Sequence, residues 1–231
     1  MSGFSSAFSQ DKRRLILGAP GFYQWRGAVV TYFLEGFKRH TNPEMIQYSQ
    51  TVDTDSYLGY SLASGYFDDS GKEQVVAGAP KDSFYRGSVY IFPIEARFGE
   101  NLFTVVKVYH GTQFGEYFGS ALITPDVNND KLNDLIVGAP LYSPPSREAD
   151  DCGRIYVYIS NGNTFNEPQI IAGPNKPNAR FGSALCNLED INMDGFKDIA
   201  VGAPYEDENK GAVYIYHGKR NGLIDRYVQV E

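Results

Sequence analysis

Short runs of β-prone apolar residues recur along the chain, and each ends on the same tripeptide. Leu15-Ile16-Leu17, Val75-Val76-Ala77, Leu135-Ile136-Val137 and Ile199-Ala200-Val201 run into Gly-Ala-Pro at Gly18, Gly78, Gly138 and Gly202, spaced 60, 60 and 64 residues apart. Such runs read as buried strands that stop at a turn. About twenty residues upstream of three of these turns stand Leu58-Gly59-Tyr60-Ser61, Phe118-Gly119-Ser120-Ala121 and Phe181-Gly182-Ser183-Ala184. The same phase for the first copy falls before residue 1, so the chain is expected to begin inside a repeat, with Gly3-Phe4-Ser5 matching the strand after the missing element. Downstream of each Gly-Ala-Pro, a glycine opens an alternating run: Gly27 to Tyr32, Gly87 to Phe92, Gly153 to Tyr158 and Gly211 to Tyr216. Val89 and Ile91 share one face and Tyr90 and Phe92 the other, so both faces are apolar, as in a sheet covered on both sides.

A fourth strand per repeat is predicted at Phe103 to Tyr109 and around Gln169 to Ile171. Four antiparallel strands in about sixty residues make a β-propeller blade, and the fold class is all-β. The repeats run over about 1–56, shortened at its start, then 57–116, 117–179 and 180–231, all within one propeller domain. A blade cannot bury both its faces alone, and four do not close a ring, so residues 1–231 are expected to be an internal portion of a larger propeller.

Composition agrees with short strands and tight turns rather than long helices, with 14% aromatic residues, 24 Gly and 12 Pro. At 42% hydrophobic the chain is not disordered. The 21 basic and 28 acidic residues leave a net charge of −7, which denies a nucleic-acid or anionic-membrane surface its electrostatic drive. The longest apolar stretch, around Gly27 to Leu34, is far below the roughly 20 residues that span a bilayer, so no membrane span is expected within the chain. No apolar run of signal-peptide length follows Lys12, Arg13 and Arg14. Cys152 and Cys186 read as two separate free thiols, and no Asn-x-Ser/Thr site occurs.

Two segments carry metal chemistry. Asp126, Asn128, Asp130, Leu132 and Asp134 occupy positions 1, 3, 5, 7 and 9 of one loop, and Asp190, Asn192, Asp194, Phe196 and Asp198 those of another. Three carboxylates, a neutral amide oxygen and a backbone carbonyl at position 7 converge on one hard cation as the chain curls, which is the ligand set of Ca²⁺. The spacing begins like an EF-hand but ends at position 9, between strands, so these are β-hairpin loops. Each starts 12 residues before its Gly-Ala-Pro, and this shared place in the repeat argues against plain Asp/Asn turns. Two Ca²⁺ sites of structural role are expected. The second repeat, Tyr66 to Gln74, keeps one carboxylate in register and should bind none; the first, Ser6 to Arg14, has lost the pattern. His40, His110 and His217 fall outside the repeated motifs, Gly59-Tyr60-Ser61-Leu62-Ala63 fails the nucleophile-elbow pattern, and no catalytic residue is assigned.

The Phe-Gly and Gly-Ala-Pro pairs flanking a nine-residue calcium loop resemble the FG-GAP repeats of integrin α subunits, across essentially the whole chain. Gly21-Phe22-Tyr23-Gln24-Trp25-Arg26-Gly27 looks like the aromatic loop of the third integrin repeat, and Asp55-Ser56-Tyr57-Leu58-Gly59-Tyr60-Ser61 like the opening of the fourth. The resemblance implies repeats three to six of a seven-bladed propeller, with the seventh missing. It implies the head of an adhesion receptor at the extracellular face of the plasma membrane, part of a longer single-pass protein, pairing with a β subunit and binding a matrix or cell-surface ligand. By that likeness Phe4, Tyr60 and Tyr117, with Tyr57 nearby, ring the channel and receive a basic residue of the β subunit. Tyr23, Gln24, Trp25, Asp53 and Asp55 fall where relatives contact ligand. Thr54 at the first acidic position and Gln24 in place of a tyrosine point to a ligand other than the simple Arg-Gly-Asp type, laminin-like in kind. Two other readings remain: an FG-GAP module of a secreted enzyme resembling glycosylphosphatidylinositol phospholipase D, and a purely structural calcium-stabilised scaffold.

Overall fold

A computed structural model describes residues 3–34, 45–47, 52–94, 105–145 and 150–230. His40, together with Phe103 at the head of an expected strand, lies outside them. The alternating runs form four-stranded antiparallel sheets, one per repeat, in simple meander order. The first holds β1 (Ser6–Phe8), β2 (Arg14–Gly18), β3 (Val29–Phe33) and β4 (Met45–Gln47). The second holds β5 (Leu62–Gly65), β6 (Gln74–Ala79), β7 (Ser88–Pro93) and β8 (Lys107–His110). The third holds β9 (Ala121–Ile123), β10 (Leu135–Ala139), β11 (Arg154–Tyr158) and β12 (Gln169–Ala172). In the fourth, β13 (Ala184–Glu189), β14 (Asp198–Ala203) and β15 (Ala212–Tyr216) are joined by β18 (Gln229–Val230), with the small hairpin β16 (Gly218–Lys219) and β17 (Gly222–Leu223) between them. The expected fourth strands are β8 and β12, displaced by a few residues at most.

Consecutive first strands β1, β5, β9 and β13 lie beside one another, so the sheets stand as blades around a shared inner edge. The core fills the spaces between blades. Val76, Val89 and Ile91 of the second blade pack with Phe118, Leu135, Val137 and Tyr156 of the third. Ile136, Ile155 and Val157 pack in turn with Phe181, Ile199, Val201 and Tyr214. Phe118 and Phe181, the aromatic members of the Phe-Gly motif, are fully buried there, each side chain contributing about 1.5–3 kcal/mol.

The glycine of Gly-Ala-Pro has a specific task. A β-carbon at Gly18, Gly78 or Gly138 would stand 1.9, 2.0 or 2.1 Å from the carbonyl oxygen of Gly59, Gly119 or Gly182 in the following blade. Only a bare Cα lets the two backbones pass. Within its own blade each of these later glycines also donates a hydrogen bond: Gly59, Gly119 and Gly182 donate to the carbonyls of Gly78, Gly138 and Gly202 at 2.9, 3.0 and 3.0 Å. Gly3 donates in the same way to Gly18 O at 2.9 Å. This corrects the expectation that the first copy of that element is missing: Gly3 is the turn glycine. The phase slips because the hairpin between β1 and β2 is short; 15 residues separate Gly3 from Gly18, where 19 separate Gly59 from Gly78.

Candidate functional site

The meander puts two kinds of connection at opposite ends of every blade. Links between first and second strands emerge at one end; those between second and third strands, and the connectors into the next blade, emerge at the other.

At the first end the two acidic loops are hydrogen-bonded alike. Asp126 Oδ1 accepts Asp130 N–H at 3.1 Å and Asp126 Oδ2 accepts Lys131 N–H at 2.9 Å; Asp190 does the same for Asp194 and Gly195 at 3.1 and 2.8 Å. Asn128 and Asn192 each donate an amide proton to the carboxylate at position 5, Asp130 or Asp194, at 2.8 and 2.9 Å. That bond and the Phe196 N–H hold Asp194 below the ordinary carboxylate value. Asp134 and Asp198, at position 9, are fully buried at the loop base. Asp134 accepts Val127 N–H and Ser160 N–H at 2.9 and 3.0 Å; Asp198 accepts Ile191 N–H and Gly218 N–H at 3.0 and 3.0 Å. Desolvation pushes Asp134 up to about 7 despite those two donors, with the charges of Asp130 and Asp126 adding to the rise.

The donor set fits a hard cation: carboxylate and amide oxygens at positions 1, 3 and 5 crowd one turn, and a divalent charge would relieve their repulsion. Among the described residues no group of three or more Asp, Glu, His or Cys side chains is already gathered around one point. The position-9 aspartates anchor the loop base through backbone N–H groups. In the second blade a neutral side chain stands in this place. Gln74 donates Nε2 to Asp68 Oδ2 at 2.7 Å, while Asp68 Oδ1 accepts Ser70 N–H at 2.9 Å. In the first, Asp11 caps a short turn by accepting from Ser9 Oγ and Arg13 N–H at 2.5 and 2.9 Å. Of the described histidines, His110 pairs with Ser88 Oγ at 2.8 Å and His217 lies beside Asp198.

At the opposite end Tyr23, Gln24 and Trp25 are three successive left-handed residues, with φ of 43, 58 and 60°. Non-glycine residues adopt this conformation at a cost. The strained loop runs beside the connector into the next blade: Asp55, Tyr57 and Leu58 donate N–H to the carbonyls of Gln24, Trp25 and Arg26 at 3.3, 2.9 and 2.9 Å. Tyr23 and Trp25 remain exposed, as do Asp53 and Asp55, so all five expected ligand-facing residues except Gln24's backbone oxygen are open to solvent on one rim.

The expected aromatic ring is present in part. Phe4 packs on Tyr60 with centroids 4.8 Å apart, and Tyr60 meets Tyr117 edge-on at 5.6 Å. Tyr57 is not in this stack. It pairs with Trp25 at 5.5 Å and carries Lys81 Nζ 4.2 Å over its ring, which joins it to the left-handed loop of Tyr23 to Trp25. The connector hydrogen bonds to residues 24–26 turn it that way.

Sequence reasoning missed two features. The second blade repeats the left-handed triplet at Ser83, Phe84 and Tyr85, with φ of 54, 56 and 61°, and exposes Phe84, Tyr85 and Phe114. Tyr85 and Phe114 pack at 5.9 Å. Beneath this rim, Glu116 and Arg154 form a buried ion pair at 2.6 Å. The alternating run Gly153 to Tyr158 contained a signal, since Arg154 breaks an otherwise apolar strand.

The FG-GAP repeat family matches residues 118–158 and 181–216. Integrin alpha-2 of Bos taurus is 40% identical over 98% of the chain, integrin alpha-4 of Xenopus laevis 36% over 99%, and integrin alpha-PS3 of Drosophila melanogaster 35% over 97%. The chain spans about a fifth of the length of these relatives, 19, 21 and 22% respectively. With its blades, its repeated turn glycines and this similarity along nearly its whole length, the chain is built of FG-GAP propeller repeats and is homologous to integrin α subunits.

Proposed function

We propose that this propeller forms the α-subunit face of a heterodimeric adhesion receptor, displayed outside the cell, stiffened by calcium at one end and engaging partners at the other. The observation that carries the proposal is the contiguous stack Phe4, Tyr60, Tyr117, at the end opposite the acidic loops. Three aromatic faces at a blade rim suit a basic side chain of an integrin β subunit, which cation–π attraction and desolvation would hold. Tyr23, Gln24, Trp25 and Tyr57, with exposed Asp53 and Asp55, form the adjoining surface for a matrix or cell-surface protein.

Asp126, Asn128, Asp130, the Leu132 carbonyl and Asp134 would hold one calcium ion; Asp190, Asn192, Asp194, the Phe196 carbonyl and Asp198 would hold a second. Bound there, each ion would neutralise the crowded carboxylates and pin the loop; no residue is given a catalytic role. The protein's own contribution at each loop is the pair of backbone N–H donors that fix the position-9 carboxylate.

The test is co-expression of the α chain with an integrin β head, followed by size exclusion in calcium. Co-elution that Tyr60→Ala/Tyr117→Ala abolishes, with the variant still folded, supports the reading. Separate elution of the wild-type chains overturns it.

A further inference from the structure

A buried carboxylate follows a particular tyrosine from blade to blade. The third residue after the glycine that opens each alternating run (Gly27, Gly87, Gly153, Gly211) is Val30 in the first blade and Tyr90, Tyr156 and Tyr214 in the last three. Tyr90 donates to Asp82 at 2.6 Å, Tyr156 to Glu116 at 3.1 Å, and Tyr214 to Glu206 at 2.6 Å. Asp82 and Glu206 both lie two residues after the proline of Gly-Ala-Pro. In the third blade that position is Tyr142, and the acid comes instead from Glu116 in the connector, where the second and fourth blades have Ser56 and Ala179. The first blade, lacking the tyrosine, has Phe22 at the proline-plus-two position. The bond is retained although its acid changes place in the sequence.

In the second and third blades the carboxylate ties down the residue just before a left-handed one, and in the fourth it holds the connector a few residues earlier. Ser56 donates to Asp82 at 2.8 Å and precedes Tyr57, φ 65°. Lys176 donates to Glu206 at 2.5 Å, and Tyr205 N–H reaches Ala179 O at 3.4 Å, ahead of Arg180, φ 53°. Glu116 itself precedes Tyr117, φ 64°, and is the most fully engaged of the three. Its Oε1 accepts Thr112 N–H and Gln113 N–H at 2.5 and 3.1 Å; its Oε2 accepts Arg154 Nε and Nη2 at 3.0 and 2.6 Å. The Arg154 guanidinium lies 3.8 Å over the Tyr142 ring and 4.7 Å over that of Tyr156. A fully buried carboxylate with its charge partner and hydrogen bonds complete is rigid, and its neighbour in the chain inherits that rigidity.

We infer that Glu116, with Arg154 and Tyr156, is a positioning group that holds Tyr117 edge-on against Tyr60 and so sets the aromatic surface offered to a cationic side chain of the partner. The second half of that statement rests on the function proposed above; the first does not.

The test uses the chain labelled with 3-fluorotyrosine, with the Tyr117 resonance assigned through Tyr117→Phe. Glu116→Gln/Arg154→Met removes both charges together, which avoids stranding a buried guanidinium. It is expected to shift the Tyr117 resonance, remove the Tyr60–Tyr117 cross-peak, and weaken binding of an integrin β head about tenfold. Adding Tyr117→Ala should then cost little more, as coupled residues require. Tyr156→Phe, which removes one hydrogen bond and keeps the fold, should move the resonance in the same direction by less. Glu206→Gln/Lys176→Met is the control for a merely structural effect: it should lower the melting temperature and leave the Tyr117 signal and β-head binding unchanged. An unshifted resonance with an intact cross-peak in both Glu116→Gln/Arg154→Met and Tyr156→Phe overturns the inference. If Tyr117→Ala does not affect β-head binding, the partner reading fails, while the resonance still decides the positioning.

Discussion

Gly138 passes under the carbonyl of Gly182 so closely that a β-carbon on it would lie 2.1 Å from that oxygen. The obstacle is backbone, so relief requires the blades to part. Gly138→Ala is therefore expected to cost about 3 kcal/mol or more, the upper end for overpacking. At Gly202 the nearest described atom to such a β-carbon is 3.3 Å away, on Ala184. Gly202→Ala should stay within about 1 kcal/mol. Urea unfolding of the two variants checks the difference, and equal losses would contradict it.

Metal should matter to the loop of the fourth blade and not to that of the second. Gln74 closes its loop with an amide, so Gln74→Ala should lower stability by about 1–2 kcal/mol equally in calcium and in chelator. Asp194→Ala should lower the melting temperature in calcium and have little effect in chelator. Thermal melts of both variants in both buffers are the measurement.

Alkaline pH should unfold the protein through its buried phenols. Burial pushes Tyr156 up to about 12, and Tyr90, Tyr158, Tyr214 and Tyr216 are also raised, in each case mainly by desolvation. Above pH 10 the unfolded chain has released protons that the folded one keeps, so stability falls as pH rises. For Tyr156 the loss runs between about 10 and about 12, at about 1.4 kcal/mol per pH unit. Tyr156→Phe should flatten that part of the profile in equilibrium unfolding measured from pH 9 to 12.

The two thiols should differ sharply in reactivity. Cys186 is exposed, whereas Cys152 is buried with its thiol raised by desolvation. A thiol reagent should modify Cys186 at once in the native protein and Cys152 only on unfolding. Mass spectrometry of the labelled peptides would show it, and rapid labelling of Cys152 would contradict the burial.

Much of this architecture was legible because a repeated task leaves a repeated residue. Gly78 and Gly138 each meet the next blade's backbone, so the same letter recurs at the same phase. The acidic loops were legible for the same reason, and they fold alike down to the bonds from Asn128 and Asn192. Gly3 was misread because its identity depends on a hydrogen bond to Gly18 rather than on spacing, and the intervening hairpin is shorter. Tyr57, expected near the ring, has its ring contacts with Trp25 and Lys81, and no sequence pattern announces those two partners. Phe84 and Tyr85 went unnoticed since nothing in their chemistry announces the left-handed backbone, which ordinarily marks glycine or asparagine. The carboxylate–tyrosine bond was hidden by the acid's move from the position of Asp82 to that of Glu116.

The proposed function divides labour between the two ends of the blades, with loops that would hold cations at one end and aromatics that would face a partner at the other. Isothermal titration of the chain with calcium tests it most directly, beside Asp126→Ala/Asp190→Ala and Asp68→Ala. Two sites are expected in the wild type, two in Asp68→Ala and none in the double variant. No binding by the wild type, or binding that survives loss of both Asp126 and Asp190, would contradict it.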